Sequence, residues 1–413
     1  MMKAEGDRKS PPWGKESCDR RMDSGSGARI IQLTSAAAIS NNIYGEQPYG
    51  SPDGRRIIIA RCRDFCWDNE GELLVHELDT LLTSKVVPRA LGVRSVFTSA
   101  WSGLMYYWTP ERCLMRLSLM SLEQEEVYRE NDPSAQLGRD GGAASVSPDQ
   151  RYVILQARRL RGPGSPTFQI IRLDLHRGIR EVIYEDPEIC NAHLQFNPFN
   201  GNEILVQNNR GVRMDADGRL IYRHSKHGTT LFVIDLDGNT KRYLPVGEPV
   251  TASCTGHECF VGDSGKVMWS VTWESPDRNH MVHDSRFPEG NIMTARPGDE
   301  RPDVFRAPEH FFVHVSASRC GRYFVADSYV GGGVFSASHQ LRSPSLVIGN
   351  FATGKYRTLV EDSMASGGGN QCTHTHPYLT ADNGYVIFNA DPNYSIPQVY
   401  AAEVPKEFLE SLG

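Results

Sequence analysis

Short apolar runs alternate with polar turns along most of the chain. Seven of them share one pattern, a turn rich in Gly, Asp or Asn before β-branched or aromatic residues: SPDGRRIIIA (51–60), WSGLMYYW (101–108), SPDQRYVIL (147–155), NPFNGNEILV (197–206), GDSGKVMWSV (262–271), SRCGRYFVA (318–326) and TADNGYVIFNA (380–390). The turn residues stand at positions 54, 103, 150, 201, 265, 321 and 384, so successive copies are 47 to 64 residues apart. Seven copies at such a period predict a repeat architecture.

A second apolar run follows the first in several copies, as in FQIIRLDL (168–175) and LFVIDLDG (231–238). Short apolar runs bounded by turn residues, with almost no helical periodicity, predict an all-β fold. Roughly fifty residues per repeat suit a four-stranded blade around a central channel. We therefore predict a seven-bladed β-propeller of four-stranded antiparallel blades. The alternative, two β-sandwiches, would need a boundary that the even spacing does not show.

The first 28 residues differ from the rest of the chain. They are polar and rich in Gly and Ser, and they lack the apolar middle region of a signal peptide. This composition predicts a flexible tail over residues 1–28 and a single propeller domain over residues 29–413.

Charge and cysteine content limit the possible partners and compartment. The net charge is −6, so no basic field favours nucleic acid, and no apolar run is long enough to span a membrane. Nine cysteines, an odd number without a secretion signal, indicate reduced thiols and a cytoplasmic protein. Cys62 and Cys66 could form half of a zinc site, but no second pair has a matching spacing, and core positions are favoured.

Four histidines occupy almost the same position in consecutive repeats. His193, His257 and His376 lie eight residues before their turn residues, and His314 lies seven before its own. Equivalent positions in a propeller form a ring around the channel, so these side chains are expected to converge. A single histidine on an apolar strand is usually a core residue, but four in phase indicate a site.

The last repeat adds further polar groups, in the order Gln371-Cys-Thr-His374-Thr-His376. His374 and His376 are two residues apart, so on a strand their side chains share one face. Neutral imidazoles and an amide oxygen suit a divalent transition metal with open positions for substrate. Without a thiolate or carboxylate among the ligands, the site keeps its full positive charge and favours an anionic ligand.

The chain resembles the oligogalacturonate lyases, seven-bladed propeller enzymes that degrade short pectin fragments. The motifs that carry the resemblance are NAHLQFNP (191–198), CTGHECFVGDSG (254–265), HVSASRCG (314–321) and QCTHTHPYLTADNGYVIF (371–388). The resemblance implies a manganese-type ion bound by His314, Gln371, His374 and His376. It implies that His257 is the base that removes a proton, and that His193 faces the substrate.

One position departs from the family pattern. The family has an arginine that helps to neutralise the uronate, and the corresponding position here is Thr230. An insert before it (210–228) contains basic residues that could replace the arginine. We expect Arg210 or Arg213 to assist catalysis or Arg223 to bind substrate, and Lys226 is a further candidate.

The chemistry of such a site agrees with β-elimination from a uronide. The C5 proton next to a carboxylate is barely acidic, because its removal places a second charge beside the first. A divalent cation on the carboxylate stabilises the developing enolate, and a neutral histidine takes the proton. We therefore predict a metal-dependent lyase that cleaves acidic oligosaccharides, with manganese as the metal that the resemblance implies.

Three alternatives stay open at this stage. The substrate could be another uronide, such as a glucuronate linkage, because the family arginine is missing. A metal-dependent hydrolase is possible, although such enzymes usually recruit Asp or Glu and only Glu258 stands beside the histidines. A binding scaffold without chemistry is also possible, since many propellers are scaffolds. The sequence leaves the oligomeric state undetermined.

Overall fold

A computed structural model describes residues 11–65, 69–135, 137, 144–160, 166–215, 220–222, 228–271, 273–274, 282–283, 291–329, 343–368 and 370–413. These residues are almost entirely strands and turns. The single α-helix among them, α1, spans Lys406–Glu410, and short 3-10 turns cover Val93–Ser95, Gly262–Ser264, Gln371–Thr373 and Pro392–Tyr394. None of the helices described is both long and apolar enough to cross a membrane.

The N-terminal half contains strands of two to nine residues. They are β1 (Trp13–Gly14), β2 (Cys18–Met22), β3 (Arg29–Gln32), β4 (Ile39–Asn41), β5 (Arg56–Cys62), β6 (Gly71–Glu77), β7 (Leu82–Ala90), β8 (Val96–Thr98), β9 (Leu104–Trp108), β10 (Cys113–Ser118), β11 (Gln124–Arg129), β12 (Ser145–Val146), β13 (Tyr152–Leu160), β14 (Pro166–Asp174), β15 (Ile179–Asp186), β16 (Gln195–Phe196) and β17 (Glu203–Asn209).

The C-terminal half continues in the same way. Its strands are β18 (Arg213–Met214), β19 (Leu220–Tyr222), β20 (Thr229–Asp235), β21 (Lys241–Tyr243), β22 (Cys254–Val261), β23 (Lys266–Val271), β24 (Trp273–Glu274), β25 (Val282–His283), β26 (Ile292–Ala295), β27 (Asp303–Phe305), β28 (Phe312–Ala317), β29 (Tyr323–Ser328), β30 (Ser345–Asn350), β31 (Tyr356–Val360), β32 (Tyr378–Leu379), β33 (Tyr385–Ala390) and β34 (Gln398–Glu403).

The strands form antiparallel four-stranded blades, as the repeat predicted. Five blades are separate sheets: β4–β7, β8–β11, β12–β15, β28–β31, and β32–β34 with β3. Strands β16, β17, β20, β22, β23, β26 and β27 follow one another in a single eight-stranded sheet, with β21 paired to β20. The pairs β18–β19 and β24–β25 are separate hairpins. The all-β propeller fold with four-stranded blades is confirmed, whereas this grouping of strands does not confirm a count of seven blades.

The seven predicted turns share a left-handed backbone conformation. At six of the seven turn positions the residue has a left-handed φ, between +62° and +76°, and in the last copy Asn383 takes this role with a φ of +61°. Five of the six are glycines, for which a left-handed φ costs little, and the sixth is Gln150. Each turn leads directly into the second strand of its blade.

The hydrophobic core lies between neighbouring blades. Phe97 and Tyr106 of the β8–β11 blade, for example, pack in one cluster with Val146 and Val153 of the β12–β15 blade. Each blade thus covers the apolar face of the next, and the first strand of each blade faces the channel. The eight described cysteines are all free thiols, six of them buried, and Cys66 lies outside the described residues.

The N-terminal residues depart from the predicted flexible tail. β1 pairs with β7, and β2 pairs with β3 in the sheet that contains the C-terminal strands. Both are edge strands. β1 has only two residues and the residues of β2 are mostly exposed, so neither carries an apolar alternation that the sequence could reveal. β3 in turn pairs with β34, so residues from both ends of the chain complete one blade.

Candidate active site

The in-phase histidines of four repeats lie side by side. His257 and His314 lie on the innermost strands β22 and β28, and His193 and His376 lie two residues before β16 and β32. The ring centroids are 6.2 Å apart for His193 and His257, 4.3 Å for His257 and His314, and 4.6 Å for His314 and His376. Histidines at the same position of successive repeats therefore form a continuous row of imidazole rings.

His314 is oriented by a buried carboxylate. Its Nδ1 lies 2.6 Å from Asp327 Oδ2, and its backbone N–H donates to Asp327 Oδ1 at 2.8 Å. The Thr375 hydroxyl donates to the same Oδ2 at 2.6 Å. A carboxylate can only accept, so Nδ1 carries the proton and the lone pair of His314 is on Nε2. Burial lowers the pKa of His314 below its ordinary value, although Asp327 opposes the shift.

His374 directs a second lone pair toward Nε2 of His314. Its Nε2 lies 2.8 Å from the carbonyl oxygen of Gly368 and donates to it, so the lone pair of the neutral ring is on Nδ1. That Nδ1 is 3.4 Å from Nε2 of His314. Two acceptor nitrogens that face each other at this distance repel one another unless a cation lies between them.

His376 and Gln371 supply two further atoms that could bind a metal ion. His376 Nε2 is 3.0 Å from Gln371 Oε1, and the His376 ring is almost fully buried. Asn42 Nδ2 donates to the backbone carbonyl of His376 at 2.8 Å, which fixes this residue in its left-handed conformation. Burial and then the neighbouring histidines hold the pKa of His376 well below its ordinary value, so the ring is neutral.

These residues fit a divalent metal. One ligand atom each from His314, His374 and His376 lies within 4.8 Å of the others. Ligands at about 2.0–2.1 Å from one ion are separated by roughly 3–3.4 Å, as the two closest pairs of donor atoms are. All three rings are aromatic nitrogen donors, and Gln371 would add an amide oxygen. Within the described residues no carboxylate belongs to this group, because Asp327 contacts the far side of His314.

His257 lies next to this group but faces different neighbours. Its Nδ1 is 3.1 Å from Glu46 Oε1 and 3.1 Å from the hydroxyl oxygen of Tyr44. Burial, followed by the nearby His314, lowers the pKa of His257 to about 4. The imidazole is thus neutral near pH 7 and has a lone pair with which to accept a proton.

His193 lies between two carboxylates. Its Nδ1 is 3.3 Å from Glu46 Oε2 and 3.5 Å from Glu258 Oε1. Burial alone would lower the pKa of His193, but Glu46 and Glu258 outweigh it and raise the pKa to about 10. The two neighbouring histidines therefore differ in charge at neutral pH, with His193 cationic and His257 neutral.

Three residues of the site were missed from the sequence. Asp327 and Tyr44 carry no repeat signal. Glu46 does, because it lies eight residues before Gly54, the same offset that His193 and His257 have from their turns. A search for any polar residue at this phase, and not for histidine alone, finds it.

The candidate arginines differ in their position relative to Thr230. Arg210 Nη2 and the Thr230 methyl lie 2.8 and 2.9 Å from the point where a Cβ on Gly247 would stand, so Arg210 is beside the position of the family arginine. Arg213 is exposed on the β18–β19 hairpin. Arg223 and Lys226 lie outside the described residues. Of the predicted arginines that the structure describes, Arg210 is thus the one next to Thr230.

Comparison with curated proteins identifies relatives along almost the entire chain. The oligogalacturonide lyase of Pectobacterium atrosepticum is 23% identical over 402 residues, which are 93% of this chain and 95% of that protein. The oligogalacturonate lyase of Dickeya dadantii is 22% identical over 407 residues, with the same coverage. No protein-family profile matches the chain.

Two solved structures share the fold. An oligogalacturonate lyase in complex with manganese has a TM-score of 0.69 at 18% identity, covering 97% of this chain and 99% of its own. The oligogalacturonate lyase of Vibrio parahaemolyticus also has a TM-score of 0.69, at 19% identity, covering 97% of this chain and all of its own. Together with the curated relatives, this agreement confirms the resemblance seen in the sequence: the chain is related over nearly its whole length to the oligogalacturonate lyases.

Proposed function

We propose that the protein is a metal-dependent lyase that cleaves oligogalacturonate by β-elimination. The observation that carries the proposal is the pair of facing lone pairs on His314 Nε2 and His374 Nδ1, 3.4 Å apart, beside a neutral histidine outside the ligand group. A cation site next to a base is what the reaction needs. The names of the relatives, and the manganese in one of the similar structures, support the same reaction.

The metal is held, in this proposal, by His314, His374, His376 and Gln371. A manganese-type divalent ion at these ligands would draw electron density from the substrate carboxylate and stabilise the enolate. Asp327 and Thr375 keep the His314 ring in the orientation that ligation requires.

The base is His257, which is neutral near pH 7 and lies at the edge of the ligand group. It would take the C5 proton of the sugar. His193 lies on the other side of His257, where it would face the sugar, as the resemblance implies. Arg210 would supply the positive charge that the family arginine provides, because it lies beside Thr230.

The test is the product. Elimination creates an unsaturated uronide that absorbs ultraviolet light and consumes no water, whereas hydrolysis adds water and gives no such absorbance. The purified protein with Mn²⁺ is assayed on short oligogalacturonates and, separately, on glucuronate oligosaccharides. Ultraviolet-absorbing product from the galacturonate series supports the proposal. Ultraviolet-absorbing product from glucuronates alone would mean that the enzyme is a lyase for another uronide. New reducing ends without ultraviolet absorbance would contradict the proposed elimination.

We also propose that residues 29–413 form one seven-bladed propeller, with the two N-terminal strands added at its edge. Within the eight-stranded sheet, β20 and β22 meet at a single residue pair, Thr229 and Cys254, whereas neighbouring strands pair over several residues. Counting this sheet as two blades gives seven, the number of sequence repeats.

A further inference from the structure

Glu46 contacts two neighbouring histidines of the row, His257 and His193. Its side chain is 4% exposed and lies in the segment after β4, far along the chain from the residues it contacts. Three nitrogen atoms surround its carboxylate: His257 Nδ1 at 3.1 Å, His193 Nδ1 at 3.3 Å and Gln195 Nε2 at 3.3 Å. Gln195 Nε2 also donates to the backbone carbonyl of Glu258 at 2.7 Å, which fixes the direction of its amide.

The position of the proton on His257 follows from this arrangement. A carboxylate oxygen of Glu46 lies against Nδ1 as an acceptor, so the proton of the neutral His257 ring stays on Nδ1. The Tyr44 hydroxyl, also 3.1 Å from this nitrogen, can share the same proton as a second acceptor. The lone pair is then on Nε2, the nitrogen on the opposite side of the ring from Glu46.

We propose that Glu46 is a positioning residue for the reaction: it holds His257 in the tautomer whose Nε2 accepts the substrate proton. This inference rests on the proposed function in assigning His257 as the base. Glu46 touches no substrate atom in this scheme, and it acts through the ring that it orients. The same carboxylate pairs with cationic His193, so one side chain sets both the tautomer of one histidine and the charge partner of the next.

Glutamine cannot replace Glu46 in this role, although its shape is the same. The carboxylate accepts from His257 on Oε1 and from Gln195 on Oε2, and Oε2 also lies 3.3 Å from Nδ1 of His193. The amide introduced by Glu46→Gln would have to present an N–H₂ group to one of these donors. If it turned its oxygen to Gln195 and His193, its nitrogen would donate to His257 Nδ1 and move the ring proton to Nε2.

The kinetic test is Glu46→Gln on the metal-loaded enzyme. We expect kcat to fall about 10–100-fold, the size seen when residues that orient a ligand or base are lost, with KM and bound metal nearly unchanged. With substrate deuterated at C5, the isotope effect on kcat should increase because proton removal becomes more rate-limiting. Glu130→Gln is the matched control, a buried carboxylate beside Arg180 after the outermost strand β11, and should behave as the unmodified enzyme.

A second measurement does not depend on turnover or on the choice of substrate. In protein labelled with ¹⁵N-histidine, the His257 signals, identified by their loss in His257→Ala, should show a protonated Nδ1 and a lone pair on Nε2. An Nε2-protonated ring in the unmodified protein overturns the proposal even if the enzyme is an active lyase. Unchanged kcat in Glu46→Gln also overturns it, and absence of lyase activity with an Nδ1-protonated ring contradicts the proposed function alone.

Discussion

The carboxylate of Asp327 lies 2.6 Å from Nδ1 of His314 and is itself fully buried. This contact directs the other nitrogen of His314 toward His374. The imidazole therefore presents a fixed lone pair to the proposed ion, and it loses little entropy when the ion binds. A residue that touches no ion thus helps to define the ligand geometry.

Replacing Asp327 by Asn should weaken metal binding without unfolding the propeller. Asparagine keeps only one acceptor oxygen, so it cannot accept from both the backbone N–H and Nδ1 of His314. Its N–H₂ group would face one of these two groups, the ring would lose its fixed orientation or tautomer, and the affinity for Mn²⁺ should fall about 10–100-fold. Titration calorimetry with Mn²⁺ measures this. Asp174→Asn, a buried carboxylate paired with Arg151 at the end of β14, is the control and should bind as before. Equal affinity in both variants would contradict the assigned orientation.

His374→Ala and His376→Ala should each remove most of the bound divalent metal and abolish activity. The two rings contact polar groups of the site, the Gly368 carbonyl and the Gln371 amide oxygen, so the fold should be retained. Elemental analysis of the purified proteins gives the metal content. His310→Ala, a buried histidine bonded to Ser328 outside the group, should keep its metal. Full occupancy in both ligand variants would end the assignment.

His257→Ala should retain metal and substrate binding but lose about 100-fold or more in kcat, because a general base contributes about 10²–10⁴-fold. The variant tests whether this histidine is a base or a ligand, since its ring is as close to His314 as those of the ligands are. The metal content and kcat are measured together. A metal-free variant would make His257 a ligand and leave His193 as the next candidate for the base.

Arg210→Ala should raise KM or lower kcat by about 10–1,000-fold, the range expected when a charged contact to a carboxylate is lost. The guanidinium lies beside Thr230, where the family has its arginine. Arg129→Ala serves as the control, because Arg129 pairs with Glu126 on the edge strand β11, away from Thr230. If the two variants have the same steady-state kinetics as the unmodified enzyme, the substrate carboxylate is held in another way.

His193 should make the stability of the protein depend on pH. Its pKa is raised from 6.5 to about 10 in the folded state, so the folded protein binds the proton more tightly than the unfolded chain does. The stabilisation is fully present below about pH 6.5 and is lost as the pH rises through about 10. We expect the difference in Tm between the unmodified protein and His193→Gln to shrink over this interval. A difference that is constant from about pH 6 to about pH 10 would mean that Glu46 and Glu258 do not hold His193 charged.

The repeat spacing was enough to predict the blade fold and the convergence of the histidines, because equivalent positions in a cyclic repeat face the same channel. Gln371 drew attention because it shortly precedes the final pair of histidines, and the resemblance implied its role as a ligand. The blade fold and the convergence of the histidines needed only one-dimensional periodicity.

Asp327 and Tyr44 could not be found in this way. Asp327 is on β29, the second strand of its blade, and reaches His314 across a strand pair. Tyr44 belongs to a repeat that offers no histidine at this phase and approaches His257 from 213 residues away. The pairing of β1 and β2 was not predicted, because such short or exposed edge strands leave no apolar pattern in the sequence.

The pairing of β3 with β34 has a consequence for how the protein is made. The blade that carries His374 and His376 is completed by residues 29–32, and Asn42 donates to the carbonyl of His376 from the same early segment. During synthesis β3 cannot pair with β34 until the last strand emerges, so the blade that carries His374 and His376 is completed only at the end. Contacts this distant in sequence slow folding. An ion that binds only when this blade is complete would stabilise the β3–β34 pairing. Loss of the metal and separation of these strands would then favour each other.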